Sequence, residues 1–262
     1  MARHPLAGIG VLVTRPREQA QRLADLVAQA GGEPVLFPAL EIQPPEDTET
    51  LNQLIDRLDE FQWAVFISPT AVDKAMNLVR ARRSWPERLG IAAVGKGSAR
   101  ALRQFGFPHV LAPERGADSE ALLELPEMKT VAGSKLVIFR GEGGRELLGK
   151  TLAERGAAVT FAECYRRSAP NLDVAPLLQR WARGEVGAVT VTSRETLHNL
   201  FDLVGKLGQQ WLKKTPLFTI HERIAAAARE LGVSQAIVAG PDDEALVQGL
   251  IDWFNAGKQH EH

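Results

Sequence analysis

The chain has 262 residues, 45% of them hydrophobic and 24% charged, and 31 basic side chains against 32 acidic ones leave a net charge of −1. A chain this long can bury roughly 75% of its unfolded surface without help from a metal, and its one cysteine, Cys164, excludes an intramolecular disulfide. The charge balance excludes bulk attraction to nucleic acid, no apolar run reaches the ~20 residues that span a bilayer, and residues 1–10 are too mixed for a signal peptide, which fits a reducing, cytoplasmic setting.

Short apolar runs alternate with amphipathic ones along the chain. Residues 11–14 predict a buried strand. Residues 18–30 predict a helix with Ala20, Leu23, Val27 and Ala30 on one face, Gly31-Gly32 end it, and strand 34–37 completes a βαβ unit. Strand 65–67, helix 70–80, strand 91–94 and helix 98–105 follow, with Gly106 as a stop and a short strand at 110–111. The order then recurs: strand 136–139, helix 145–155, Gly156, strand 159–162, strand 189–192, helix 195–203, strand 217–220, helix 224–231, Gly232 and strand 236–238. Such alternation predicts an α/β protein with parallel sheets flanked by helices.

The recurrence is also one of sequence. Arg15 aligns with Arg140, Gly31 with Gly156 and Ser68 with Ser193, each pair 125 residues apart, and Gly106 aligns with Gly232 at 126. A duplicated α/β unit implies two similar lobes with a ligand cleft between them. The Pro- and polar-rich stretches 41–50 and 168–176 are the expected crossings between lobes.

Ligands of open parallel sheets bind beyond the carboxyl ends of the strands. The residues expected there are Thr14 and Arg15; Ser68, Pro69 and Thr70; Lys96 and Ser98; Arg140, Gly141, Gly143, Gly144 and Arg145; Thr192, Ser193 and Arg194; and His221 and Arg223. Hydroxyls, basic groups and free N–H groups at helix starts suit a ligand rich in carboxylates or phosphates. Each has a plainer reading. Ser68, Ser98 and Ser193 fall where helix N-caps belong, the glycines at 141, 143 and 144 can serve a tight turn, and Arg15 and Arg140 can be surface charges. Two arginines flanking three glycines directly after a strand favour an anion-binding role for 140–145. Tyr165, the single tyrosine, lies at a strand end beside a crossing, where it either packs or reaches a ligand. Cys164 reads as a buried strand residue rather than a nucleophile.

Other chemistries lack their signatures. The histidines, His4, His109, His198, His221, His260 and His262, show no zinc spacing. There is no Gly-x-Ser-x-Gly elbow and no P-loop or dinucleotide fingerprint. Asp242 and Asp243 read as the cap of a last helix.

Particular runs carry a family likeness: Leu12-Val-Thr-Arg-Pro16, Phe37-Pro-Ala-Leu-Glu-Ile42, and the block from Arg140-Gly-Glu-Gly-Gly-Arg-Glu-Leu147 through Arg155-Gly-Ala157 to Tyr165-Arg166, with lesser support from Phe66-Ile-Ser-Pro69 and Ala93-Val-Gly95. Over roughly residues 11–238 the chain resembles the uroporphyrinogen-III synthases. The resemblance implies two similar α/β lobes joined by a two-stranded linker. One lobe comprises residues 1–38 plus 168–262, the other 39–167, with crossings near 38–44 and 163–170; periodicity alone would make the lobes consecutive.

It further implies a lyase of tetrapyrrole (haem and sirohaem) biosynthesis, with no metal or organic cofactor. Its substrate, hydroxymethylbilane, would be closed to uroporphyrinogen III with loss of water and inversion of ring D through a spiro-pyrrolenine. Tyr165 matches the family position expected to aid departure of the hydroxyl. Some relatives carry hydroxyls in the turn that here reads His221-Glu222-Arg223, so His221, Arg223 or backbone amides are expected to take that place. The expected partners are the small-molecule substrate and, transiently, hydroxymethylbilane synthase; neither nucleic acid nor membrane is expected, and monomer is the default state. The readings that compete are a two-lobed anion-binding protein without chemistry and, more weakly, a nucleotide-dependent enzyme.

Overall fold

A computed structural model of the protein describes residues 4–114, 116, 118–144 and 146–259. In chain order, β1 (Gly10–Val13), α1 (Arg17–Gln29), β2 (Glu33–Leu36), β3 (Glu41–Gln43) and α2 (Thr48–Asp56) precede β4 (Trp63–Phe66), α3 (Pro69–Arg82), β5 (Gly90–Ala93), α4 (Lys96–Gln104), α5 (Ser119–Leu123) and α6 (Pro126–Lys129). Then come β6 (Lys135–Gly141), α7 (Leu147–Glu154), β7 (Ala158–Ser168), α8 (Ala175–Ala182), β8 (Ala188–Val191), α9 (Arg194–Leu212), β9 (Leu217–Thr219), α10 (Glu222–Glu230), β10 (Ala236–Val238) and α11 (Asp243–Gln259).

The chain divides into two compact units. One runs to Glu41 and resumes at Ser168; the other is Ile42–Arg167. The first unit's sheet has the order β10-β9-β8-β1-β2, the second's β3-β7-β6-β4-β5. In each sheet a central strand is paired in parallel on both sides, β1 with β2 and β8, and β6 with β7 and β4. The segment β6-α7-β7 therefore repeats β1-α1-β2, and β4 repeats β8, which is the spatial meaning of the 125-residue offset. The chain order is permuted, because β4 precedes β6 whereas β8 follows β1. Residues 110–111, expected as a strand between Pro108 and Pro113, contribute only an isolated bridge from Leu111 to Ala92.

Both faces of each sheet are covered. In the first unit Leu12, Val189 and Leu217 join one core with residues of α8, α9 and α10, while Val11, Val13, Ala188 and Phe218 join another with residues of α1 and α11. The alternation along β1 sends successive side chains to opposite faces, and its all-apolar sequence is that of a strand buried on both. In the second unit Ala64, Phe66, Val137 and Phe139 face α2, α3 and α4, and Val65, Leu136 and Ile138 face the layer formed by α5, α6 and α7.

The structure extends or corrects several expectations. The helix expected over 195–203 is followed, across a break at Gly205 with a φ of 61°, by a second helical segment that runs on to Leu212, the two together making α9. Helices α2, α5, α6 and α8 lie where no helix was expected, α2 beginning in the last three residues of the stretch 41–50 read as a crossing. Strand β7 has 11 residues where four were expected: pairing with β6 persists past Ala162 to Tyr165, and on its other side β7 neighbours β3.

Phe139 is fully buried and stacks on Phe66 with ring centroids 4.8 Å apart. Phe139→Ala should lower unfolding free energy by about 3–5 kcal/mol in urea titration, and a loss below ~1 kcal/mol would contradict this core.

Candidate active site

Because the described strand pairs are parallel, their carboxyl ends share one edge of each sheet. In the first unit that edge carries Thr14 and Arg15 after β1, Thr192, Ser193 and Arg194 after β8, and His221 and Arg223 after β9. In the second it carries Ser68, Pro69 and Thr70 after β4, Lys96 and Ser98 after β5, and Arg140, Gly141, Gly143 and Gly144 around the end of β6, beside Tyr165 on β7. Arg145 lies outside the described residues.

The second unit brings the most together. A cavity of about 570 Å³ is lined by Ile67, Ser68, Pro69, Lys96, Ser98 and Glu114, with glycines 95, 97 and 116. It opens between the starts of α3 and α4. Ser68 caps α3, accepting a hydrogen bond from the Ala71 N–H at 3.0 Å, and Pro69 fits the first helical position. The first turn of α4 presents N–H groups that no preceding helical turn can satisfy, and the absent side chains at Gly95 and Gly97 let a ligand approach the backbone. Ser98, expected as a cap, instead lies within α4, whose N-cap is Gly95. It is 3% exposed and lines the cavity, and its hydroxyl has no hydrogen-bond partner among the described residues. Two helix starts, two hydroxyls and the Lys96 ammonium suit a carboxylate. Glu114 is the one acid in the lining and comes from a loop without periodicity, so sequence reasoning missed it.

Tyr165 is 2% exposed. A register shift in the β6–β7 ladder pairs Arg140 with Glu163 but Gly141 with Tyr165, leaving Cys164 as the extra residue of a bulge. The pleat is thereby interrupted, and neighbours Cys164 and Tyr165 both join the core. The tyrosine ring lies over Gly141, where a Cβ would come within 2.7 Å of it. Its hydroxyl is 3.3 Å from Ser68 Oγ and 3.4 Å from Arg167 Nη2. Arg167, two residues along the strand on the same face, is the second residue the sequence reading missed; the i, i+2 spacing is the signal that would have found it.

Arg140 requires a correction. It is neither a surface charge nor a group open to ligand, being 5% exposed with its guanidinium over the Phe161 ring at 4.5 Å. Its Nε donates to the Gly141 carbonyl at 3.2 Å and its Nη2 to the Gly144 carbonyl at 2.9 Å, with Glu163 at 3.6 Å. Arg140 thus shapes the glycine turn, in which Gly143 has a φ of 68°. Gly144 leaves room for that guanidinium, since a Cβ there would lie 3.3 Å from Arg140 Nε.

In the first unit the hydroxyls are largely engaged. Thr14 is wholly buried and donates to the Thr190 carbonyl at 2.7 Å. Ser193 mirrors Ser68 as a cap, accepting from the Thr196 N–H at 3.0 Å and donating to Thr196 Oγ1 at 2.8 Å. Arg15 pairs with Asp243 at 2.6 Å, while Asp242 caps α11 by accepting from the Ala245 N–H. Arg194, His221 and Arg223 are exposed, and His221 stands at the N-cap of α10 without a side-chain capping bond. Among the described residues no His, Cys, Asp and Glu cluster has the makings of a metal site, and no helix is long and apolar enough to cross a membrane.

Fold and site together define a duplicated α/β protein of two parallel-sheet units whose strand ends carry hydroxyls, helix-start amides and basic groups. The family described as uroporphyrinogen-III synthase HemD matches residues 21–248. The chain is 37% identical over 245 residues to the uroporphyrinogen-III synthase of Escherichia coli (strain K12), covering 92% of this chain and 100% of that protein. It is 36% identical, with the same coverage, to the enzyme of Salmonella typhimurium. In fold it is similar to a mutant uroporphyrinogen III synthase from the extremely thermophilic bacterium Thermus thermophilus, with a TM-score of 0.62 at 21% identity over 95% of this chain and 99% of the other. The chain belongs to the uroporphyrinogen-III synthase family, and is an enzyme of that lyase class.

Burial pushes the Cys164 thiol up to about 12, and its Sγ donates to the Arg140 carbonyl at 3.2 Å. At pH 8 it should stay protonated and resist iodoacetamide in the native protein but react promptly in guanidinium, with mass spectrometry as the readout. Native labelling within minutes would contradict the burial. Gly141→Ala should displace the Tyr165 ring and lower turnover by roughly tenfold or more, a displacement of the kind that costs rate far from the reacting atoms; a steady-state assay of the soluble variant checks it.

Proposed function

We propose that this chain closes hydroxymethylbilane to uroporphyrinogen III with loss of water and inversion of ring D. The observation that carries this reading is membership of the synthase family, with 37% identity across the full length of the Escherichia coli enzyme. The site supports it by supplying anion-holding groups rather than a strong acid–base pair.

The chemistry asks for little else. The pyrrole nitrogen of the terminal ring donates its lone pair as the hydroxymethyl C–O bond breaks, giving a delocalised azafulvenium cation and, once protonated, water. Uncatalysed closure at the free carbon gives the uninverted isomer. The enzyme's task is to present the already substituted carbon of ring D first, so that a spiro-pyrrolenine forms, fragments and recloses. Orientation of this kind is worth up to about 7–11 kcal/mol in the best intramolecular cases. In this reading the cavity beside Ser68, Pro69, Lys96 and Ser98, with Thr70 at the same sheet edge, grips substrate carboxylates, and Thr192, Ser193, Arg194, His221 and Arg223 at the strand ends of the first unit offer further groups of the same chemistry. Tyr165 assists departure of the hydroxyl as a hydrogen-bond donor. The reading extends to a cytoplasmic monomer that meets hydroxymethylbilane synthase only transiently.

The test is a coupled assay. Hydroxymethylbilane is generated from porphobilinogen by its deaminase, the protein is added, and the oxidised uroporphyrins are separated by chromatography. Predominantly isomer III is expected; isomer I alone, from folded protein, would transfer the site to an anion-binding protein without chemistry.

A further inference from the structure

Three observations fix the direction of a hydrogen-bond chain that ends in the cavity. Arg167 can only donate, so its Nη2–H, 3.4 Å from the phenol oxygen, makes Tyr165 an acceptor at that contact. The phenol is almost wholly buried, and among the described residues its own hydrogen finds one acceptor, Ser68 Oγ at 3.3 Å. Ser68 Oγ already accepts from the Ala71 N–H at 3.0 Å. With both contacts directed at the Ser68 oxygen, its own O–H is left to point elsewhere, and Ser68 lines the cavity.

We propose that Arg167 is a positioning residue that polarises Tyr165 toward Ser68, making the Ser68 hydroxyl the donor that meets the departing oxygen of the substrate. This rests on the synthase reading and deepens it, since the buried phenol then acts through Ser68 rather than by contact. As the C–O bond breaks, its electron pair stays on oxygen, which takes the Ser68 proton and leaves as water. Ser68 regains a proton from Tyr165, and the resulting phenolate is stabilised by the adjacent guanidinium, whose Cζ lies 5.7 Å from the ring centre. The proton released when the closing pyrrole regains aromaticity returns along the same path, so the cycle balances without a co-reactant. The two links are long for hydrogen bonds, a feature such chains show before substrate tightens them.

The test is a double-mutant cycle on full-length protein in the coupled assay. Arg167 is exposed, so Arg167→Met should fold, with its thermal melting checked against the parent. It should lower kcat about tenfold with KM within twofold, and Arg167→Lys, which keeps one donor, should recover most of the loss. In a Tyr165→Phe background Arg167→Met should have no further effect, because the group it acts through is gone. An unchanged kcat for Arg167→Met, the same tenfold loss in the Phe background, or a rise in KM alone would overturn the proposal, the last assigning Arg167 to carboxylate binding. The parent protein separates the two levels: if it yields isomer I alone the synthase reading fails, whereas isomer III with independent Arg167 and Tyr165 effects removes only the relay.

Discussion

Parallel pairing about two central strands, β1 and β6, is the constraint from which the site follows. Each is hydrogen-bonded on both sides and covered on both faces, so its side chains have no freedom to be polar until the strand ends. Polar and charged groups are expelled to the termini, and parallel order gathers the carboxyl termini on one edge. The following helix begins there, and its unsatisfied N–H groups join the hydroxyls that cap it. Ser68 and Ser193, equivalent by duplication, cap α3 and α9 in the same manner. A gathering of hydroxyls and helix-start amides is thus a by-product of sheet polarity, and Ser98 and Lys96 add a hydroxyl and an ammonium to it in the second unit.

One local departure from regularity matters as much. Had β7 kept its pleat, Tyr165 would face away from the Cys164 side; the bulge opposite Arg140 and Gly141 turns it inward. Gly141 is then the residue that tolerates an aromatic ring against its backbone, and Arg140 is drawn in to hold the turn beyond it. The glycine-rich run that invites comparison with phosphate loops is here a support for a phenol.

Much of this was legible in the sequence. The apolar runs at 11–13 and 136–139, the amphipathic face of α1 and the glycine stops at 31, 156 and 232 give the α/β order, because burial on both faces and helix termination are local signals. The length of β7 was not legible, since Glu163, Arg166 and Arg167 mask the pattern and the pairing that sustains the strand comes from β6. Helix α8 is hidden by Pro176 in its first turn, although proline is tolerated there. Helix α2 is hidden by Pro44-Pro45, although Asp47 accepts from the Thr50 N–H as a cap. The burial of Arg140 depends on Phe161 and on loop carbonyls, partners that only the tertiary fold assembles. The candidate positions were therefore readable as strand ends, whereas which of their side chains are buried or bonded within the fold was not.

The permuted order also sets a schedule for synthesis. Strands β1 and β2 emerge first, yet β8 to β10, which complete their sheet, lie beyond residue 187. The intervening unit, Ile42–Arg167, is continuous and carries all its own strands from β4 to β7. On a ribosome the later-encoded unit can therefore be finished first, while the leading βαβ segment waits with one edge of β1 unpaired. A nascent chain of this kind exposes a strand edge for as long as roughly 150 residues take to make, on the order of ten seconds at translation rates of about 5–20 residues per second. That interval is where a holding chaperone, or an aggregation fault, would find its opportunity.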